Sequence, residues 1–145
     1  EPMTLTPTLQ EFVDDFAAVG EQDRLMLLLD HADALPALPE RYADHPDLLE
    51  RVLECQSPVF LFVEVDGGAV HVHATAPVEA PTTRGFASIL VRGLDGATPE
   101  EALAVPADLS SMLGLERAVS PLRLRGMSGM LGRIQRQIRE RVDAA

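Results

Sequence analysis

The stretch "PVFLFVEVDGGAVHVHAT", residues 58–75, constrains the fold of this chain more than any other. Its first part is β-branched and aromatic, "DGG" supplies residues suited to a tight turn, and "AVHVHAT" alternates with period two. These features predict an antiparallel hairpin. A two-stranded ribbon is marginal in water and needs a third strand or helices laid on one face. The flanking segments are helical in pattern, so the expected fold class is α+β, a small antiparallel sheet with helices packed on one face.

The helices are read from their ends and their apolar spacing. "TPTLQEFVDDFAAVG" opens at Thr6–Pro7 and closes at Gly20, and residues 21–33 follow with Leu25, Leu28 and Leu29 on one side. Pro36 and Pro39 make "ALPALPERY", 34–42, an extended loop. Residues 44–53 then predict a short amphipathic helix through Leu48, Leu49, Val52 and Leu53. After the hairpin, 84–96 predicts a buried helix on Phe86, Ile89 and Leu90. Thr98, Pro99 and Glu101 form a capping-box signature for a helix over 98–105. "ADLSSMLGL" predicts another short helix, broken by Gly114. From Pro121 a long amphipathic helix carries Met127, Leu131, Ile134, Ile138 and Val142 on one stripe, with Arg133, Arg136 and Arg139 elsewhere on the wheel.

The 145 residues, 46% of them hydrophobic, suffice for one core and not for two ordinary domains. The reading is a single domain over 1–145, with residues 1–6 expected to be disordered or foreign to the natural chain. The longest strongly apolar runs, "LMLLL" at 25–29 and "VFLFV" at 59–63, fall far short of the roughly 20 residues a bilayer requires. No secretory pattern opens the chain, and a cytoplasmic location without membrane partners is expected.

A net charge of −11 argues against nucleic acid as a partner, since phosphate binding draws on clustered cations. The charge is uneven: residues 1–116 carry 5 Arg against 21 acids, and 117–145 carry 7 Arg against 2. The final helix should therefore rest its arginines on an acidic body.

Cys55 is the only cysteine. It can build no internal disulfide, and alone it falls short of the four ligands of a structural zinc or iron–sulfur site. Free cysteines are commonly small core residues. Here, however, the thiol stands between a helical and a strand segment, followed by Gln56, Ser57 and Pro58, where a loop can present it to another molecule. The thiolate would be the nucleophile, and Glu54 beside it would raise the thiol pKa by like-charge repulsion. A cation from elsewhere in the fold or from a partner would have to offset that charge.

Four motifs, taken together, carry a family resemblance: L-P-A-L-P at 35–39, C-Q-S at 55–57, Arg84-Gly85-Phe86 opening a helix, and S-P-L-R at 120–123 followed by Gly126. In order and spacing the chain resembles the SufE family of sulfur-acceptor proteins over roughly residues 25 to 140. The resemblance implies a SufE/IscU-like fold. It also implies that Cys55 takes a sulfur atom from the persulfide of a SufS-type cysteine desulfurase and passes it to an iron–sulfur scaffold protein. It further implies no cofactor for this chain, because the pyridoxal phosphate belongs to the desulfurase. Arg123 would be the cation serving the thiol site or the docking surface, with Glu54, Gln56, Ser57 and Glu79 around it. Glu54 stands where the family usually has glycine, and Glu79 where it commonly has aspartate. A lone thiol suits this work, since no resolving cysteine can discharge a persulfide as an internal disulfide.

Two other classes remain open on sequence. A cysteine hydrolase or transferase would use His71 or His73 as base and needs an imidazole within hydrogen-bond reach of the sulfur. A binding module would keep Cys55 as core packing. His71 and His73 share a strand face without an evident third metal ligand, and His31 and His45 are read as surface residues.

Overall fold

The hairpin forms where its pattern places it. A computed structural model describes residues 5–144; strands β2 (Phe60–Asp66) and β3 (Ala69–Thr75) pair antiparallel from Phe60↔Thr75 to Asp66↔Ala69. Gly67 and Gly68 close the turn at φ 60° and 79°, the left-handed region that glycine enters without steric cost. Period-two alternation puts Leu61, Val63, Val70, Val72 and Ala74 on the buried face.

The third strand comes from an unexpected place. Residues 44–53, expected to be helical, instead form a 3₁₀ turn at Pro46–Leu48 and strand β1 (Glu50–Arg51), which pairs Glu50↔Leu61 and Arg51↔Phe60. A ten-residue helix has little stability of its own, whereas the open edge of β2 offers hydrogen bonds to whatever backbone reaches it. Leu48 and Leu53, assigned to an apolar stripe, are accordingly exposed.

Helices cover the buried face. The preceding segments form α1 (Pro7–Ala17), α2 (Glu21–Asp33) and the short α3 (Glu40–Ala43); after the hairpin come α4 (Pro81–Leu94), α5 (Pro99–Leu103), α6 (Leu109–Met112) and α7 (Pro121–Ala144). Helix α4 packs on β3 and α7 on β2, while α1 and α2 pack on the outer side of α4. This burial explains why α4 is apolar nearly all round, with Phe86, Ile89, Leu90 and Leu94 at most 1% exposed. It starts at Pro81, a turn before the expected Arg84, because proline fits the first helical position. The capping box of α5 is formed by Thr98 and Glu101 as read.

Leu5 and Thr6 correct the expectation for residues 1–6. Both are buried; the Thr6 hydroxyl donates to Gly93 O at 2.7 Å and accepts from Leu9 N, joining α1 to α4. Residues 1–4 lie outside the described residues. His31 is likewise buried, against Phe12 and Phe16, and accepts at Nδ1 from Arg92. His45 is exposed as expected.

Helix α7 also closes the sheet edge that β1 is too short to cover. Val63 N donates to Gln137 Oε1 at 2.9 Å, and Arg141 Nε donates to Val63 O at 2.6 Å. Two helix side chains thus stand in for a missing strand, and the Arg141 guanidinium lies 4.6 Å from the Phe62 ring centre.

Candidate functional site around Cys55

The segment between β1 and β2 is a tight loop. Val52 N donates to Val59 O at 2.9 Å across its base, and Cys55 N donates to Val52 O at 3.1 Å. These bonds close the base of the loop; within it Cys55 is buried while Leu53 and Gln56 face solvent. The thiol is 7% exposed, and Sγ lies 3.6 Å from Gly126 O on α7. The loop lies at the surface, as the sequence predicts, and its sulfur points in, a point the sequence leaves open.

Helix α7 reaches this close because it carries glycine there. A Cβ on Gly126 would stand 2.9 Å from Cys55 Sγ, and one on Gly129 would stand 2.7 Å from the Glu54 side chain. One turn on, Arg133 takes the Glu54 carboxylate with two donors, Nε to Oε1 at 2.8 Å and Nη2 to Oε2 at 3.2 Å. Its third donor, Nη1, binds Glu50 Oε2 at 2.7 Å. Glu50 is further held by Arg136 and by Gln137 Nε2 at 2.8 Å. This confirms the expected seating of basic α7 on acidic body residues, and it brings the cation that Glu54 called for.

The electrostatics follow. Hydrogen bonds from Arg133 hold the Glu54 carboxyl below its usual range. Burial pushes the Cys55 thiol above its ordinary value; Glu54 adds to the rise, and Arg133 and Arg51 oppose it. At neutral pH the resting group is a thiol and a poor nucleophile.

Beside the sulfur is a pocket of about 190 Å³, several times the roughly 30 Å³ that a water molecule occupies in the liquid. The loop contributes Cys55, Gln56 and Ser57; α4 contributes Thr83; Ser120 stands just before α7, and Leu122, Arg123 and Gly126 come from its start. Cys55 and Arg123 thus share one pocket, 68 positions apart in sequence. Arg123 is exposed and donates from Nη1 to Thr82 Oγ1 at 2.5 Å, which directs its guanidinium along the N-terminus of α4. Glu54 stands behind the loop in the Arg133 pair. Glu79 is exposed in the turn before α4 and does not line the pocket. Sequence reasoning passed over Thr83 and Gly129, and it named Arg133 only as one arginine of the final helix, without its partner. The signal for the last two was present as Gly126, Gly129 and Arg133, spaced three and four apart and so on one helix face.

The histidines are elsewhere. On the outer sheet face His71 Nδ1 bonds Asp95 Oδ1 at 2.7 Å and His73 Nε2 bonds Glu64 Oε1 at 2.7 Å. Both line a different groove, with Tyr42 and Arg141. Among the described residues no histidine lines the Cys55 pocket, so the base required for a cysteine hydrolase is not at the sulfur.

The comparison with protein families decides the affiliation: the model of the Fe-S metabolism associated domain, SufE, matches residues 10–138. The chain belongs to the SufE family. A SufE-like protein of Mycobacterium tuberculosis is 54% identical over 96% of this chain and 96% of its own length. The chloroplastic/mitochondrial SufE-like protein 1 of Arabidopsis thaliana is 29% identical over 92% of this chain and 35% of its own. Among solved structures, a hypothetical protein from Thermus thermophilus superposes with a TM-score of 0.84 at 37% identity, covering 97% of this chain and 99% of that one. The α+β SufE fold and the association with iron–sulfur metabolism are thus established for this chain. Glu54 adopts no positive φ, so the backbone here does not require the glycine that the resemblance led one to expect.

Proposed function

We propose that Cys55 accepts the terminal sulfur of a persulfide on a SufS-type cysteine desulfurase and relays it to an iron–sulfur scaffold protein. The observation that carries this reading is the single cysteine facing a pocket with room for an added sulfur atom, in a chain of the SufE family. In the transfer, the Cys55 thiolate attacks the outer sulfur of the donor persulfide. A new S–S bond forms on Cys55, the donor S–S bond breaks, and the donor cysteine leaves as a thiolate. The thiol proton passes to solvent or to a base of the partner, and no outside oxidant is consumed. Pyridoxal phosphate acts only in the desulfurase, and this chain serves as its sulfur acceptor in the cytoplasm.

The rest of the site suits a docking event. Leu53 on the cysteine loop and Leu122 on the pocket are 72% and 41% exposed, apolar side chains that a partner would cover. Arg123, on the same pocket, is the cation available to the anionic persulfide. Incubation with a cysteine desulfurase and free cysteine should add one sulfur atom to Cys55, read by mass spectrometry of the peptide. The chain should also speed sulfide release by the desulfurase, and Cys55→Ser should abolish both that addition and that stimulation. An unchanged Cys55 mass would refute the proposal.

A further inference from the structure

The sulfur must leave its inward position to meet a partner's sulfur, so what holds the loop shut sets how often it is available. Among the described residues, two side-chain ties join positions 53–58 to α7: the weak contact of Cys55 Sγ with Gly126 O at 3.6 Å, and the forked grip of Arg133 on Glu54. The stronger of the two is charged, two-pronged and partly shielded, with Arg133 and Glu54 side chains 22% and 36% exposed. It is also local in its effect. Glu50, at the base of the loop, keeps Arg136 and Gln137 if Arg133 is lost, whereas Arg133 is the side chain that holds Glu54.

We infer that Arg133 is a positioning residue, whose paired hydrogen bonds to Glu54 clasp the cysteine loop against α7 and keep Cys55 turned inward. Release of this clasp exposes the thiol. The inference deepens the sulfur-acceptor reading by assigning the control of its sulfur, and it is tested on the chain alone, with no sulfur donor or desulfurase present.

The decisive measurement is the rate of Cys55 alkylation by iodoacetamide as a function of pH. Charge and clasp predict opposite outcomes for Arg133→Gln. Removing a cation that steadies the thiolate raises the thiol pKa and slows alkylation near neutrality, whereas opening the loop speeds the reaction of the thiolate itself. The expected result is a thiolate plateau rate, reached at high pH, about fivefold above wild type, the factor for roughly 1 kcal/mol of lost restraint. Arg136→Gln, which loses Glu50 contact but leaves Glu54 held, should alkylate at the wild-type rate. Sodium chloride should speed the wild-type chain towards Arg133→Gln and leave the variant little changed. A plateau unchanged or slower in Arg133→Gln, or raised equally in Arg136→Gln, overturns the clasp. Should circular dichroism show Arg133→Gln unfolded, the salt series on the wild-type chain decides: a rising rate supports the clasp and a flat one overturns it. Because no sulfur is transferred, failure here leaves the sulfur-acceptor test standing, and failure of that test leaves this one standing.

Discussion

At Cys55 two opposing pressures meet. Burial favours the neutral thiol, while its proposed chemistry requires the thiolate; in the proposed mechanism the sulfur is protected at rest and activated when the loop exposes it. The sequence showed Glu54 as an unanswered negative charge beside the sulfur, and the answering Arg133 is 79 residues away, a pairing no local pattern can reveal. His31 is the mirror case, a titratable group hidden where a surface residue was expected. Burial, and then the Arg92 cation, lowers its pKa to about 4. An unfolded chain takes up that proton near the ordinary value of about 6.5 and the folded one does not. Stability should therefore fall as pH drops from about 6.5 to 4, by an amount of the order of 2 kcal/mol from this residue. His31→Gln, which keeps an acceptor for Arg92 without a titrating ring, should flatten that slope in urea-midpoint measurements between pH 7 and 4.5.

Among the elements, those with self-contained signals were legible. The hairpin was written in alternation and a glycine turn, α5 in its capping box, and α7 in a long apolar stripe; each element is found where read, though the buried stripe ends at Ile138 and Val142 is exposed. Strand β1 was not legible because its two residues are extended only by pairing with β2, so its conformation belongs to its partner. The same dependence explains Gln137, a polar residue 3% exposed in the middle of α7, which looks misplaced until Val63 on the uncovered edge is seen. Gln137→Ala should strand a buried Val63 N–H and cost about 1–3 kcal/mol, visible as a lower urea midpoint with an unchanged slope. A much smaller loss would mean that this sheet edge is satisfied by water instead.

Across the whole molecule, α7 is the element that joins stability to the thiol site. Its start shapes the pocket, Gly126 and Gly129 seat it on the cysteine loop, and Ile134 and Ile138, at most 1% exposed, complete the core beneath the sheet. A chain ending at residue 132 should accordingly fail to fold cooperatively, with loss of the sigmoidal thermal transition in circular dichroism; a retained sharp transition would show that the first 132 residues form an independent core. The lopsided charge has its reason in the same contact, since arginines of α7 pair with Glu50 and Glu54 of the acidic body. By itself the sequence determined the α+β class, the hairpin with its turn, the capped helix and the family motifs, because those depend on side-chain periodicity and backbone preferences over a few neighbouring residues. Only the tertiary structure decided that Cys55 faces inward, that Arg123 shares its pocket while Glu79 does not, and that Arg133 holds Glu54, because burial and charge pairing arise from surfaces brought together across scores of residues.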